Sequence, residues 1–207
     1  MRANDIIRLR GAAMLRAEDV ARYFLANQDA EHGGSISNLK VQKLCYYAQG
    51  IALALLGKPL FLDDIVHWEH GPVVRNVYQR YQTHQAAAIP APEDLDLTLY
   101  DRETQGLLDK VHRVYGQVSA WELRDGTHEE APWTNTPDGA AITHQKLKIY
   151  FQSLPMLSEH FGELVRENFR HLPENPQVMK DLKRGIEAFN AGRMVDWDEV
   201  KEELGIE

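Results

Sequence analysis

The sequence predicts a mainly α protein: a compact domain of about seven helices with a short extended segment near residues 60–68, followed by a helical C-terminal tail. Three observations carry this expectation. Apolar residues recur at three- and four-residue intervals over most of the chain, the period of a helix with one buried face. Ser37, Ser119 and Thr143 stand just ahead of such runs, where a side-chain oxygen can accept from the free N–H groups of a first turn. Only Leu60 to Trp68 is less regular, and there Ile65, Val66 and Trp68 suit extended backbone.

Ala17 to Gln28 is the first expected helix, with Val20, Ala21, Phe24 and Leu25 on one side, and Gly33-Gly34-Ser35 breaks the chain after it. Ser37 caps the strongest helix, on which Val41, Leu44, Cys45, Ala48, Ala52 and Leu55 form a buried stripe. Gly57 sits where a left-handed residue closes a helix, and Pro59 follows it. Gly71-Pro72 is expected as a turn, with Pro72 opening a third helix that bears Val73, Val74, Val77, Tyr78 and Tyr81. Gln85 to Thr98, rich in alanine, proline and acids, is expected as a long loop. A fourth helix spans Asp101 to Tyr115, with Leu107, Leu108, Val111 and Val114. Ser119 caps a fifth that runs through Leu123, leaving Asp125 to Gly139 as a polar loop around His128, Glu129, Pro132 and Trp133. Thr143 begins a sixth helix with Leu147, Tyr150 and Phe151, and Leu154 to Phe169 supplies a seventh.

Pro173-Glu174-Asn175-Pro176 then breaks any helix. Beyond it Val178, Leu182, Ile186 and Phe189 stand about one turn apart, Gly192 ends that helix, and Asp196 with Glu199 resembles a capping box opening a last short one. The expected organisation is a basic N-terminal extension at 1–13, a helical body at 14–172, and a linker with an acidic amphipathic tail at 173–207.

Composition narrows the function. The chain has 207 residues and a formal net charge of −8, which disfavours general nucleic-acid binding because phosphates demand basic surface. One cysteine allows neither an intrachain disulfide nor a cysteine zinc cluster, and it fits a reducing, cytoplasmic setting. No apolar run approaches a signal-peptide core or a membrane span; the longest is Ile51 to Leu56. His67 and His70 are three apart, but the H-E-x-x-H zinc pattern is absent, and His70 and His128 read as capping or hydrogen-bonding groups. Cys45 falls on an apolar helical stripe and reads as a core residue. The acid pairs Asp63-Asp64 and Glu129-Glu130 read as solvated loop residues. No catalytic, cofactor-binding or metal-ligating residue is assigned.

Charge is unevenly placed. Residues 1–16 hold four arginines and one aspartate, a net of +3 that suits a basic arm or a frayed terminus. From Met194 to Glu207 six carboxylates stand against Lys201, a net of −5, interleaved with Val195, Trp197, Val200, Leu204 and Ile206. Such a stretch suits docking onto a basic protein with a hydrophobic groove, or folding back on its own domain.

Several blocks in order resemble one family. Asn38-Leu39-Lys40-Val41-Gln42-Lys43-Leu44-Cys45-Tyr46-Tyr47-Ala48-Gln49-Gly50 resembles the N-L-K-L-Q-K-L-x-Y-Y-A-Q-G hallmark of the Panacea domain, the SocA-like antitoxin and phage-associated family. Gly57-Lys58-Pro59-Leu60-Phe61 and Trp68-x-x-Gly71-Pro72-Val73-Val74 are similar to its next block, and Thr127-His128-x-Glu130-x-Pro132-Trp133 to its third. Val41 and Cys45 depart from the commoner residues and keep the helix apolar, while His67 stands where a small residue often precedes the tryptophan. The resemblance covers roughly residues 14–152 and implies a mostly helical antitoxin encoded beside a small toxin. Members neutralise unrelated toxins by direct contact, and some hand the toxin to a protease. The motif residues Tyr46, Tyr47, Trp68, Gly71, Pro72, His128, Pro132 and Trp133 are then structural or partner-binding.

The tail from Ala191 to Gly205 resembles the toxin-wrapping segments of RelB-, Phd- and ParD-like antitoxins, which implies a small basic partner of the RelE/ParE class. Its candidate contact residues are Phe189, Arg193, Val195, Trp197, Glu199, Val200 and Leu204. Alternatives are an adaptor delivering a partner to an ATP-dependent protease, a hydrolase built on His70, His128 and nearby glutamates, and toxin–antitoxin autoregulation on DNA through the N-terminal arginines. No membrane association is expected.

Overall fold

A computed structural model describes residues 14–28 and 34–154, together with Leu157 and Phe161. Its elements are α1 (Ala17–Ala26), α2 (Asn38–Leu55), β1 (Ile65–Trp68), β2 (Gly71–Val74), α3 (Arg75–Tyr81), α4 (Arg102–Tyr115), α5 (Ala120–Glu129), α6 (Ala131–Thr134) and α7 (His144–Gln152). Seven α-helices and one two-stranded sheet among the described residues make this a mainly α fold. The expected extension at 1–13, the seventh helix after Leu154 and the tail at 173–207 lie outside the described residues, Leu154, Leu157 and Phe161 excepted.

The fold is built around α2. Ser37 caps it, its Oγ accepting from the Lys40 N–H at 3.4 Å. Every residue of α2 except Leu39 is buried. Helices α1, α4, α5 and α7 and strand β2 all pack on it. The expected apolar stripe is there, with Val41, Leu44, Cys45, Ala48 and Ala52 fully buried. A stripe alone, however, would leave a solvent face, and α2 has none. A helix enclosed on all sides must also bury the polar residues it carries.

Packing of α7 on α2 depends on one missing side chain. A Cβ at Gly50 would overlap the ring of Phe151, which is fully buried. The rings of Tyr46 and Tyr47 meet Phe151 edge-on, at centroid distances of 5.6 and 6.1 Å. Helix α1 is tied down by polar contacts in its first turn. Asp63 accepts from the Ala17 N–H at 3.0 Å, and the Tyr100 hydroxyl donates to the Asp19 carbonyl at 2.7 Å.

β1 and β2 form an antiparallel hairpin in the register Ile65–Val74, Val66–Val73, His67–Pro72, Trp68–Gly71. β2 corrects the expectation that Pro72 opens a helix: Gly71 to Val74 are strand, and α3 starts at Arg75. Proline is tolerated because its missing N–H falls on the outer edge of β2, where no strand pairs. β1 is covered on its outer edge by the chain before α7: His67 donates to the Ala140 carbonyl at 2.9 Å and accepts from Gly139 at 2.9 Å.

A second correction concerns the expected polar loop from Asp125 to Gly139. Helix α5 continues to Glu129 and α6 occupies Ala131–Thr134. Ser119 caps α5 as expected, and Glu122 completes a capping box with it. It does not stop at Leu123, because Thr127 is buried with its hydroxyl turned back to the Arg124 carbonyl at 2.8 Å. The polar composition of this segment belongs to one face of a helix and to a buried cap.

Because Gly50 faces an aromatic ring without room for a methyl group, Gly50→Ala should lower unfolding free energy by about 1–3 kcal/mol. Adding Phe151→Leu should recover part of that loss. Urea denaturation of the single and double variants checks this; equal losses in both would show that the Phe151 ring is not the obstacle.

Candidate functional site

Asn38, Gln42, Lys43 and Gln49 of the α2 motif bond the backbone of neighbouring elements. Asn38 Oδ1 accepts from Gln42 Nε2 at 3.1 Å, and Asn38 Nδ2 donates to the Tyr78 carbonyl at 3.3 Å. Gln42 Oε1 accepts from the Val74 N–H at 2.9 Å, and Lys43 Nζ donates to the Pro72 carbonyl at 3.0 Å. These two groups lie on the outer edge of β2, so α2 stands where a third strand would be. About two turns further on, Gln49 Oε1 accepts from the Leu60 N–H at 2.9 Å and Gln49 Nε2 donates to the Phe61 carbonyl at 2.8 Å. This pins the chain that leads from α2 to the hairpin.

Glu130 links α2 to the α5–α6 junction. It ends α5 and opens α6, and its carboxylate accepts from the Tyr46 hydroxyl at 2.6 Å and the Tyr47 hydroxyl at 3.0 Å. Burial pushes its carboxyl up to about 7; the two tyrosine hydroxyls and the charge of Lys43 oppose this less strongly. Burial likewise pushes the Lys43 ammonium down to about 7, with Arg124 acting in the same sense and Glu130 against it. The tyrosine hydroxyls themselves are held in the neutral form, first by burial and then by the neighbouring Glu130.

Trp133 completes the joint. Its indole lies between two imidazoles, His67 at 4.1 Å and 19° and His128 at 4.0 Å and 7°. Its Nε1 donates to the Trp68 carbonyl at 3.2 Å, tying α6 to the hairpin. The Pro132 carbonyl accepts from the Thr136 hydroxyl at 2.8 Å. His67 Nδ1 is 3.5 Å from Asp138 Oδ1 but makes no hydrogen bond, and His128 Nε2 is buried without a hydrogen-bond partner. Burial, then the charges of Arg124 and Lys43, lower the His128 pKa and favour the neutral ring. Gly71, at φ +90°, lets the strand approach: a Cβ there would come within 2.6 Å of Lys43 Nζ and 2.7 Å of Thr127 Oγ1.

The fold thus brings all eight motif residues to one junction of α2, the hairpin and α5–α6. The candidate contact residues Phe189, Arg193, Val195, Trp197, Glu199, Val200 and Leu204 lie outside the described residues. The groups of the hydrolase reading are dispersed: His70 is exposed against Trp121, His128 lies on Trp133, and Glu130 is buried under two tyrosines. Asp63 bonds the N-terminus of α1 and the Asn76 side chain, at 3.0 and 2.9 Å. With Asp64, Arg75 and Gly139 it lines a cleft of about 310 Å³ on the outer side of the hairpin. Cys45 is fully buried, which pushes its thiol well up, away from the reactive thiolate. Among the described residues no group of three or more His, Cys, Asp or Glu could hold a metal ion, and no helix is long and apolar enough to cross a membrane.

Sequence reasoning did not assign roles to Gln42, Lys43, Gln49, Thr127 or His67. The available signal was four long polar side chains, Lys40, Gln42, Lys43 and Gln49, on a helix that apart from Asn38 is otherwise apolar, small or aromatic. On an amphipathic helix these would mark the solvent face; here Gln42, Lys43 and Gln49 meet unpaired backbone.

Residues 41–134 match the family model of the antitoxin SocA-like Panacea domain. The matched segment is similar to that domain and takes in most of α2, the hairpin and α5–α6. This similarity supports an antitoxin-like role in general terms. No curated protein and no solved structure matches the chain.

The titration of Glu130 gives a signed prediction. Its folded-state pKa of about 7 lies above the 4.5 of an ordinary glutamate, so the native state holds the proton more tightly between these values. Stability, measured against Glu130→Gln, should therefore fall as pH rises from about 4.5 to about 7, by on the order of 3 kcal/mol. Denaturant titrations across that range check it; curves that stay parallel for wild type and variant would contradict it.

Proposed function

We propose that the chain is an antitoxin that neutralises a cognate small toxin by direct protein–protein binding, without catalysis. The observation that carries this reading is the match of residues 41–134 to the SocA-like antitoxin domain. The geometry supports it, because the motif side chains are engaged with one another and with backbone. Tyr46, Tyr47 and Glu130 form a closed buried triad, and Trp133 is sandwiched between two rings. We read the motif residues as the scaffold of the domain and not as a reaction centre.

The proposed organisation is a basic extension at 1–13, the antitoxin domain at 14–172, and a toxin-binding segment at 173–207. The acidic, aromatic composition of Met194 to Glu207 supports a small basic partner of the RelE/ParE class. Contact through Phe189, Arg193, Val195, Trp197, Glu199, Val200 and Leu204 belongs to this proposal, as does a cytoplasmic setting.

The test is co-expression with the product of the adjacent open reading frame. The full chain should restore growth, and a chain lacking residues 173–207 should protect less, with at least about tenfold weaker binding, or 1.4 kcal/mol. Full protection by the shortened chain would remove the tail from the account. The toxin level should hold steady during protection; its protease-dependent loss would favour an adaptor instead. His70→Ala with His128→Ala should still protect, and loss of protection by a folded double variant would favour catalysis.

A further inference from the structure

The exposed side of α5 carries an anchor that the motif scaffold does not use. Trp121 is 60% exposed, whereas Trp68 and Trp133 are half-buried. It is held in place from two sides: the His70 ring meets it edge-on at 6.1 Å, and the Arg124 guanidinium lies over its face at 6.0 Å. Arg124 is itself fixed by Asp125 at 2.6 Å. The indole is therefore preorganised in solvent, so ordering it on binding costs little. Tryptophan is among the residues enriched at the energetic anchors of protein interfaces.

The surroundings are acidic. Glu122, Asp125 and Glu129 are exposed and fall within roughly 100° of Trp121 around the helix axis. Glu69, beside His70 in the hairpin turn, is exposed as well. Against these carboxylates α5 sets one arginine, already paired with Asp125. An apolar anchor among carboxylates is complementary to an apolar socket edged by Lys or Arg. The same charge disfavours two other occupants: a second copy would oppose this acidic face with its own, and the segment 194–207 carries a net of −5.

We propose that the Trp121 face of α5, with His70 and the carboxylates Glu122, Asp125 and Glu129, is a docking surface for a small basic protein, the toxin. The proposal rests on the antitoxin reading and places a contact on the folded domain in addition to the segment after residue 172. Trp121 enters the partner's apolar socket while the carboxylates meet its basic rim.

The experiment measures binding of the purified full chain to the protein encoded by the adjacent open reading frame. Trp121→Ala should weaken the complex by about 30-fold or more. Asp125→Lys with Glu129→Lys should slow association about tenfold at low salt, with a smaller effect at high salt. Leu62→Ala, another exposed apolar site at 67% exposure, should change neither. Melting curves of the variants should overlay wild type, since these side chains lie mostly in solvent. Tight binding by wild type and Trp121→Ala alike overturns the docking surface and leaves the antitoxin reading standing. No binding by wild type overturns that reading and the surface with it. A dimer of the chain alone that Trp121→Ala breaks assigns the face to a second copy. Faster proteolysis of residues 1–13 in Trp121→Ala without partner assigns it to the basic arm; either result overturns the proposal.

Discussion

The structure depends on the enclosure of α2. A helix enclosed in this way leaves little of its polar surface to water, so most polar side chains it carries find partners inside the protein. Asn38, Gln42, Lys43, Tyr46, Tyr47 and Gln49 do this by bonding to the elements that surround them. The same bonds that make the helix tolerable in the interior fix the hairpin, the Leu60–Phe61 segment and the α5–α6 junction in place. A buried donor or acceptor left without its partner costs about 1–3 kcal/mol, more for a charged group, which makes these contacts specific as well as cohesive.

The hairpin shows why such a motif is dense. Two strands of four residues are not stable alone in water. Here each outer edge is closed by something other than a strand of the sheet. Residues 139–142 bond β1, and the side chains of Gln42 and Lys43 bond β2. Pro72 fits because its carbonyl is wanted and its N–H is not, and Gly71 fits because Lys43 and Thr127 fill the space a side chain would occupy. Trp133 then clamps the hairpin to α6 through the Trp68 carbonyl. Residues far apart in sequence are thus parts of one joint.

Much of the fold was legible because period and capping are local. Ser37, Asp101, Ser119 and Thr143 each cap a helix with a side-chain bond, as their positions suggest. β2 was not legible, since Gly71-Pro72 has the local chemistry of a turn and only pairing with β1 makes it strand. The length of α5 was missed for a similar reason: Asp125, Gly126 and His128 look like loop residues, and tertiary burial of Thr127 and Glu130 decides the matter. The eight motif residues were identified through resemblance, but their partners were not, because a hydrogen bond between Tyr46 and Glu130 spans 84 residues. The segment after residue 172 was read from its spacing, its charge and a short resemblance, and it lies outside the described residues.

An antitoxin that acts by contact differs from an enzyme in one measurable respect: it is used up one for one. Titration of the full chain against a fixed amount of the adjacent gene's product, followed by intact mass measurement of both proteins, tests this directly. The account predicts that toxicity disappears only as the chain reaches stoichiometric amounts, in a complex from which the toxin is recovered with unchanged mass. Protection by a small fraction of an equivalent, or a toxin of altered mass, would contradict it.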